Sequence, residues 1–265
     1  MEPPAAPAPG GRVPLLELRG IRKRFGAVEA LSGVDFEVYP AEVVGLVGDN
    51  GAGKSTLVKV IAGTYQPEEG EYRFAGRTVT VSSPRHASEL GIQTVYQDLA
   101  LCENLDVVAN LYLGREELRP LLPGTVEILD ELSMERRAWQ FVQELHVRIP
   151  SLRKLVAALS GGQRQSVAVA RAVMWNSKVV LLDEPTAALG VEQTQQVKEL
   201  VRSLRERRLG VVVISHNLAD VFDITDRIVV LRQGKRVASF ETRSATRQDV
   251  VASITGAEFG QGAVG

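Results

Sequence analysis

One stretch constrains this chain more than any other. An apolar run, "AEVVGLVG", passes into the turn "DNGAGKST" and then into "LVKVIAG", where apolar residues return at helical spacing. Gly48, Gly53, Lys54 and Ser55 satisfy the pattern G-x-x-x-x-G-K-[ST] without a gap. In such a turn the run Gly48, Asp49, Asn50, Gly51, Ala52, Gly53, Lys54, Ser55, Thr56 can present successive backbone N–H groups to a polyphosphate, because glycine permits tight turns and close approach. Lys54 falls at a helix start, where the macrodipole disfavours a cation unless an anion is present. A bound phosphate resolves that conflict, and the Ser55 hydroxyl suits Mg2+. The strand before and the helix after imply an α/β core.

The rest of the chain divides around that unit. "LLELRGI" and "VDFEVY" alternate as strands of a part-exposed antiparallel sheet, and "EYRFAGRTVT" reads as a strand pair joined at Gly76. From Asp98 to Met174 the apolar residues fall mostly at helical spacing, which predicts an inserted helical subdomain over 98–174. The core is then expected over 15–97 and 175–257, together forming one domain over 15–257. "KVVLLDEP" and "GVVVISH" are nearly all-apolar, as suits central parallel strands covered on both faces, and "QQVKELVRSLRERR" reads as the crossover helix between them. "RIVVLRQGKRVASF" is expected to close as a hairpin around Gln233 and Gly234. The lead 1–14, with five prolines, is expected to be disordered, and the Gly-rich 258–265 to be a flexible tail.

Several polar groups follow directly on apolar strands: Gln97 after "TVY", Asp183 and Glu184 after "VVLL", and His216 after "VVVIS". Ligands of open parallel sheets bind beyond the carboxyl ends of the strands. A carboxylate there is costly unless it serves an ion or a partner. Asp183 therefore suits contact with Mg2+, and Glu184 suits polarising a water. The alternative for Glu184 is a capping carboxylate ahead of Pro185. No His/Cys cluster suggests zinc.

Composition excludes other classes. With 31 Lys and Arg against 32 Asp and Glu, the chain lacks the basic excess of a dedicated nucleic-acid binder. The single cysteine, Cys102, excludes an internal disulfide and reads as a small core residue in a reducing compartment. No apolar run approaches the ~20 residues needed to span a bilayer.

A second polar turn remains: "LSGGQ", with Ser160, Gly161, Gly162 and Gln163, opens another helical segment. Taken in order, "GDNGAGKST", Gln97, "LSGGQ", "VVLLDE" and His216 resemble the ATP-binding subunits of ABC transporters, from about Leu15 to Gly256. The resemblance implies a P-loop NTPase (RecA-like) α/β core with an antiparallel β subdomain and an inserted α-helical subdomain. It implies ATP and Mg2+ as ligands, with Ser55, Gln97 and Asp183 toward the metal, Lys54, Glu184 and His216 as catalytic groups, and Phe25 stacking on adenine. It also explains the second turn. In this family two subunits meet head to tail, and Ser160–Gln163 of one close over the phosphate held by the other.

"QDLALCENLDVVANLYLG" and "SHNLADVFDITDRIVVLRQGKRV" are similar to the subunits that power monosaccharide importers of the ribose, xylose and fructose type. That implies transmembrane permease subunits as partners, an extracytoplasmic solute-binding protein, and a peripheral place on the cytoplasmic face of the cell membrane. Docking to the permease is expected in the groove beside Gln97. Each motif occurs once, so a homodimer or a pair with a related subunit is implied. One departure stands out, since the loop after "VVLLDE" ends in Leu189-Gly190 where the wider family has Leu-Asp. Another solute, a non-transport ATPase of the same family, or a P-loop kinase are the competing readings.

Overall fold

The computed structural model describes residues 13–121 and 126–257. The expected tail, and all but Val13 and Pro14 of the expected lead, lie outside the described residues.

The chain opens with β1 (Leu16–Phe25), β2 (Val28–Val38) and β3 (Val43–Val47), then α1 (Lys54–Ile61), β4 (Glu69–Phe74), β5 (Arg77–Thr78), α2 (Pro84–Leu90) and β6 (Ile92–Val95). The middle holds α3 (Val107–Tyr112), β7 (Leu118–Pro120), β8 (Glu127–Leu129), α4 (Glu131–Glu144) and α5 (Gly161–Val173). It closes with β9 (Val179–Asp183), α6 (Val191–Glu206), β10 (Gly210–Ile214), α7 (Leu218–Ile224), β11 (Arg227–Arg232), β12 (Lys235–Glu241) and α8 (Arg247–Thr255).

Six strands form the central sheet in the order β12-β11-β3-β10-β9-β6, with β12 as an antiparallel edge and the others parallel. β3 and β10 are buried at every residue, which is why their sequence shows no alternation. The period of two survives in where the side chains go. Val180, Leu182, Val211 and Val213 pack with α3, α4, α5 and α6 on one face, whereas Val179, Leu181, Val212 and Ile214 face the other. That second face is covered by α1 and by an antiparallel sheet of order β2-β1-β4-β5. A third, smaller core under α7 and α8 seals the β11 side. The relay of strand registers brings the carboxyl ends of β3, β6, β9 and β10 to one edge: Ile214 pairs with both Leu46 and Asp183, and Val95 with Leu182.

Two particulars differ from the sequence reading. The middle segment is not helical throughout, because β7 and β8 pair as a hairpin with Leu118 opposite Leu129. Strands of three residues are too short to display a period of two, so this hairpin was illegible. Cys102 is half-buried rather than a core residue, in the loop that Asn110 ties down through the Cys102 N–H and carbonyl.

Candidate functional site

The turn after β3 is shaped by what lies behind it. Gly48 has φ of 150°, and a Cβ there would stand 2.2 Å from the Leu231 carbonyl oxygen. Gly53 has φ of 102°, and its Cβ would stand 2.8 Å from the Ala30 carbonyl oxygen. Any side chain at either position would collide with backbone, so the loop presses against β11 and β2 only because both are glycine. Ala52 is buried beneath the loop, while Asp49, Asn50, Gly51 and Ser55 face solvent. Gly53 also caps α1 and supplies no side-chain acceptor, so the first-turn N–H groups of that helix stay open to an anion.

Lys54 folds across this turn, donating from Nζ to the Gly48 carbonyl at 2.6 Å and the Asp49 carbonyl at 2.9 Å. Burial pushes its ammonium below the usual lysine range, while Glu184, Asp49 and Asp183 act the other way. Asp183 shows the reverse: burial, then the neighbouring Glu184, raises its carboxyl above the usual range against the pull of Lys54 and Lys59. Burial therefore works against the charged form of both groups. An anion beside Lys54 and a cation beside Asp183 would satisfy both.

Glu184 sits one residue past β9 with φ of 49°, a left-handed conformation that costs a side-chain-bearing residue about 1–3 kcal/mol. Its N–H donates to the Ile214 carbonyl at 2.9 Å, which fixes the turn against β10. Its Oε1 lies 2.8 Å from His216 Nδ1 and accepts the His216 N–H at 3.2 Å. The capping alternative for Glu184 fails, since Gly190 caps the next helix, α6. The tautomer with its proton on Nδ1 suits that contact, and it leaves Nε2 without the proton on a ring 77% exposed.

Gln97 stands exposed two residues past β6, at the same sheet edge. Beside it lies a groove of about 230 Å³ whose lining includes Tyr96, Asp98, Leu99, Leu111, Arg171 and Trp175. Arg171 donates to the Leu99 and Ala100 carbonyls and holds one wall. Trp175 donates to the Leu111 carbonyl and carries Arg115 over its ring at 5.2 Å.

Phe25 is 44% exposed at the tip of β1 rather than buried as packing, edge-on to Tyr65 at 5.1 Å. Its hairpin partner β2 supplies the Ala30 carbonyl that backs Gly53, so aromatic and phosphate turn share one support.

The Ser160–Gln163 turn belongs elsewhere. Ser160 Oγ accepts the Gln163 N–H at 3.3 Å, and Gln163 Oε1 accepts the Ser160 N–H at 3.0 Å, a reciprocal cap at the start of α5. Gly161 and Gly162 pack on Leu189 and Gln193, where a Cβ would come to 3.0 Å and 2.9 Å of the neighbouring side chains. Among the described residues, no hydrogen bond or ion pair joins this turn to Gly48–Thr56, Asp183, Glu184 or His216.

Sequence reasoning missed the supports. Tyr65 beside Phe25, the carbonyls of Ala30 and Leu231, and an Asp220 cluster behind Glu184 carry no motif. Among the described residues, no three His, Cys, Asp or Glu side chains could together hold a metal ion.

The family model described as ABC transporter matches residues 31–187. The chain is 46% identical over 247 residues to the fructose import ATP-binding protein FrcA of Rhizobium meliloti, covering 92% of this chain and 95% of that protein. It is 43% identical to the ribose import ATP-binding protein RbsA 1 of Rubrobacter xylanophilus, covering 92% of this chain but 47% of that one. Among solved structures, the ADP conformation of MJ1267, an ATP-binding cassette of an ABC transporter, superposes with a TM-score of 0.77 at 27% identity, covering 92% of this chain and 99% of that one. A glycine turn closed on two backbone walls, an acid pair beyond β9 and a second turn opening α5 thus occur in a chain that belongs to the ABC transporter family, as its ATP-binding cassette.

Proposed function

We propose that this chain energises import of a monosaccharide, with ATP hydrolysed at the edge where β3, β9 and β10 end. The observation that carries the assignment of residues is the convergence there of Lys54, Asp183, Glu184 and His216. Lys54 and the open N–H groups of α1 take the β- and γ-phosphates, and Phe25 offers its exposed face to the base. Ser55 and Asp183, with Gln97 beside them, are hard oxygen donors of the kind Mg2+ prefers, and the raised Asp183 carboxyl fits a cation. When bound, Mg2+ supplies neutralisation of phosphate charge. Glu184 holds the attacking water as base, and His216, oriented through Nδ1, directs Nε2 toward the γ-phosphate.

Two chains, or this chain and a related one, close head to tail so that each Ser160–Gln163 turn caps the other's nucleotide. The lack, among the described residues, of any hydrogen bond from that turn to its own chain's Gly48–Thr56 supports this reading, as does a ribose relative about twice as long. The membrane-embedded part is a separate permease docked in the groove beside Gln97, on the cytoplasmic face of the cell membrane. No helix among the described residues is long and apolar enough to cross a membrane. A solute-binding protein delivers the sugar from outside, and the relatives' names include fructose, xylose, arabinose and ribose.

The test is Glu184→Gln, sized by light scattering with and without MgATP. The amide is expected to leave nucleotide binding intact and to slow turnover about 10²–10⁴-fold, the usual scale for a positioned acid or base. The variant should therefore be monomeric alone and dimeric with MgATP. A monomer at saturating MgATP, in the presence of the permease as well, overturns the head-to-tail arrangement. Sugar specificity is read from proteoliposomes, as ATP hydrolysis stimulated by one sugar-loaded binding protein over the others.

A further inference from the structure

Behind Glu184 and His216 lies a carboxylate that no part of the reaction described so far uses. Asp220, on α7, is only 6% exposed. Its Oδ2 accepts the Thr186 hydroxyl at 2.9 Å and the Asn217 side-chain amide at 2.9 Å. Its Oδ1 pairs with Lys198 Nζ of α6 at 2.7 Å, and that lysine is itself largely buried. Three donors from three elements therefore meet on one buried anion, which suits a charge-assisted junction.

The positions of those donors give the junction its meaning. Thr186 is two residues beyond Glu184, and Asn217 is the residue after His216. The pair Glu184–His216 is thus tied twice: directly at the solvent edge, and again through Asp220 in the interior. The loop from Glu184 to Gly190 has little else to hold it. It carries two left-handed residues with side chains, Glu184 and Ala188. Among the described residues, the one side-chain hydrogen bond between Pro185 and Gly190 is that from Thr186 to Asp220. A strained turn persists only where its surroundings over-determine it.

We infer that Asp220 is a positioning residue for hydrolysis, which through Thr186 and Asn217 sets the mutual placement of Glu184 and His216. It is buried, and it acts through the side chains that donate to it. Lys198 pairs with its Oδ1, Asn217 and Thr186 share its Oδ2, and Thr186 is the link through which it reaches the strained loop. This rests on the assignment of Glu184 as the base in the proposed site.

The test removes one hydroxyl. Thr186→Val keeps the shape and deletes the donor, Thr186→Ala deletes it with less bulk, and Thr186→Ser restores it. Steady-state ATP hydrolysis and nucleotide affinity are measured on the full chain. Both hydroxyl-free variants are expected to lower kcat by roughly ten- to a hundredfold, the scale of a small misplacement, with ATP affinity within about twofold of the parent. Thr186→Ser is expected to recover most of the rate. In a Glu184→Gln background, Thr186→Val should add no further loss, because both changes act on one step. Equal losses in Thr186→Ser and Thr186→Val would reduce the junction to packing and overturn the inference. So would full turnover in Thr186→Val while Glu184→Gln is impaired, an outcome that leaves the site assignment standing. Full turnover in Glu184→Gln itself overturns both.

Discussion

The two glycine-containing turns of this chain open helices in opposite ways. At Gly48–Ser55 the core presses on the loop, glycines are required by backbone walls, and the helix start is left without a side-chain cap. At Ser160–Gln163 the turn lies on the outside of the helical region, and Ser160 and Gln163 cap each other. The first has no side-chain cap on its helix start, which leaves N–H groups open to the nucleotide proposed for it. The second carries a reciprocal side-chain cap on the Ser160 and Gln163 N–H groups, and in the proposed arrangement it meets an anion that another chain holds. An uncapped helix start and a side-chain-capped one are the physical difference between the two turns.

Variants that strike one turn at a time sharpen this contrast. The largest effect is expected for Lys54→Ala, which removes the charge folded across the first turn. Loss of one preorganised group facing developing negative charge costs about 10²–10³ in rate, and here ATP affinity should fall as well. Near-normal turnover would remove Lys54 from the site.

Ser160→Arg places bulk and charge in the second turn only. Hydrolysis should drop about a hundredfold, and the MgATP-induced dimer of Glu184→Gln should disappear, while single-chain ATP affinity stays within about twofold. If affinity falls in step with rate, the second turn serves its own chain's nucleotide and the contrast collapses.

Phe25→Ala tests the aromatic carried on the same hairpin that backs Gly53. A lost stacking face is expected to weaken ATP and GTP equally, by about 1–3 kcal/mol on the scale known for base stacking. Calorimetric affinities that do not change would return Phe25 to a partner of Tyr65 alone.

The smallest effect concerns stability. Because burial raises the Asp183 carboxyl, its folded form holds a proton more tightly than the unfolded chain does, so this group's contribution to stability falls as pH rises through that window. Asp183→Asn should therefore raise the unfolding midpoint at neutral pH, with the gap closing as the solution is acidified below the raised value, even as hydrolysis is lost. A gap that widens in acid would contradict the cause assigned to the shift.

Much of this was legible in the residues. The strands β3, β9 and β10 stand where unbroken apolar runs occur, because burial on both faces removes any need for polar alternation. The polar groups that end those runs were recognisable as one site because a parallel sheet sends every carboxyl end the same way. Phe25 was open to two readings, and only its exposure beside Tyr65 excludes a buried packing role. The β7–β8 hairpin was hidden by strands shorter than the period that would reveal them.

What the sequence determined by itself is local: a glycine-rich turn between an apolar run and a helix, a lysine at that helix's start, a polar turn opening a second helix, and acids after apolar strands. Such features depend on neighbours within a few residues, so spacing alone reports them. Tertiary structure alone decided which distant groups share a junction. Asp220 meets Thr186 across 34 residues, and Gly48 meets the Leu231 carbonyl across a far longer span. No spacing encodes these meetings, because they arise from strand order in the sheet and from the side of it on which each crossover helix packs.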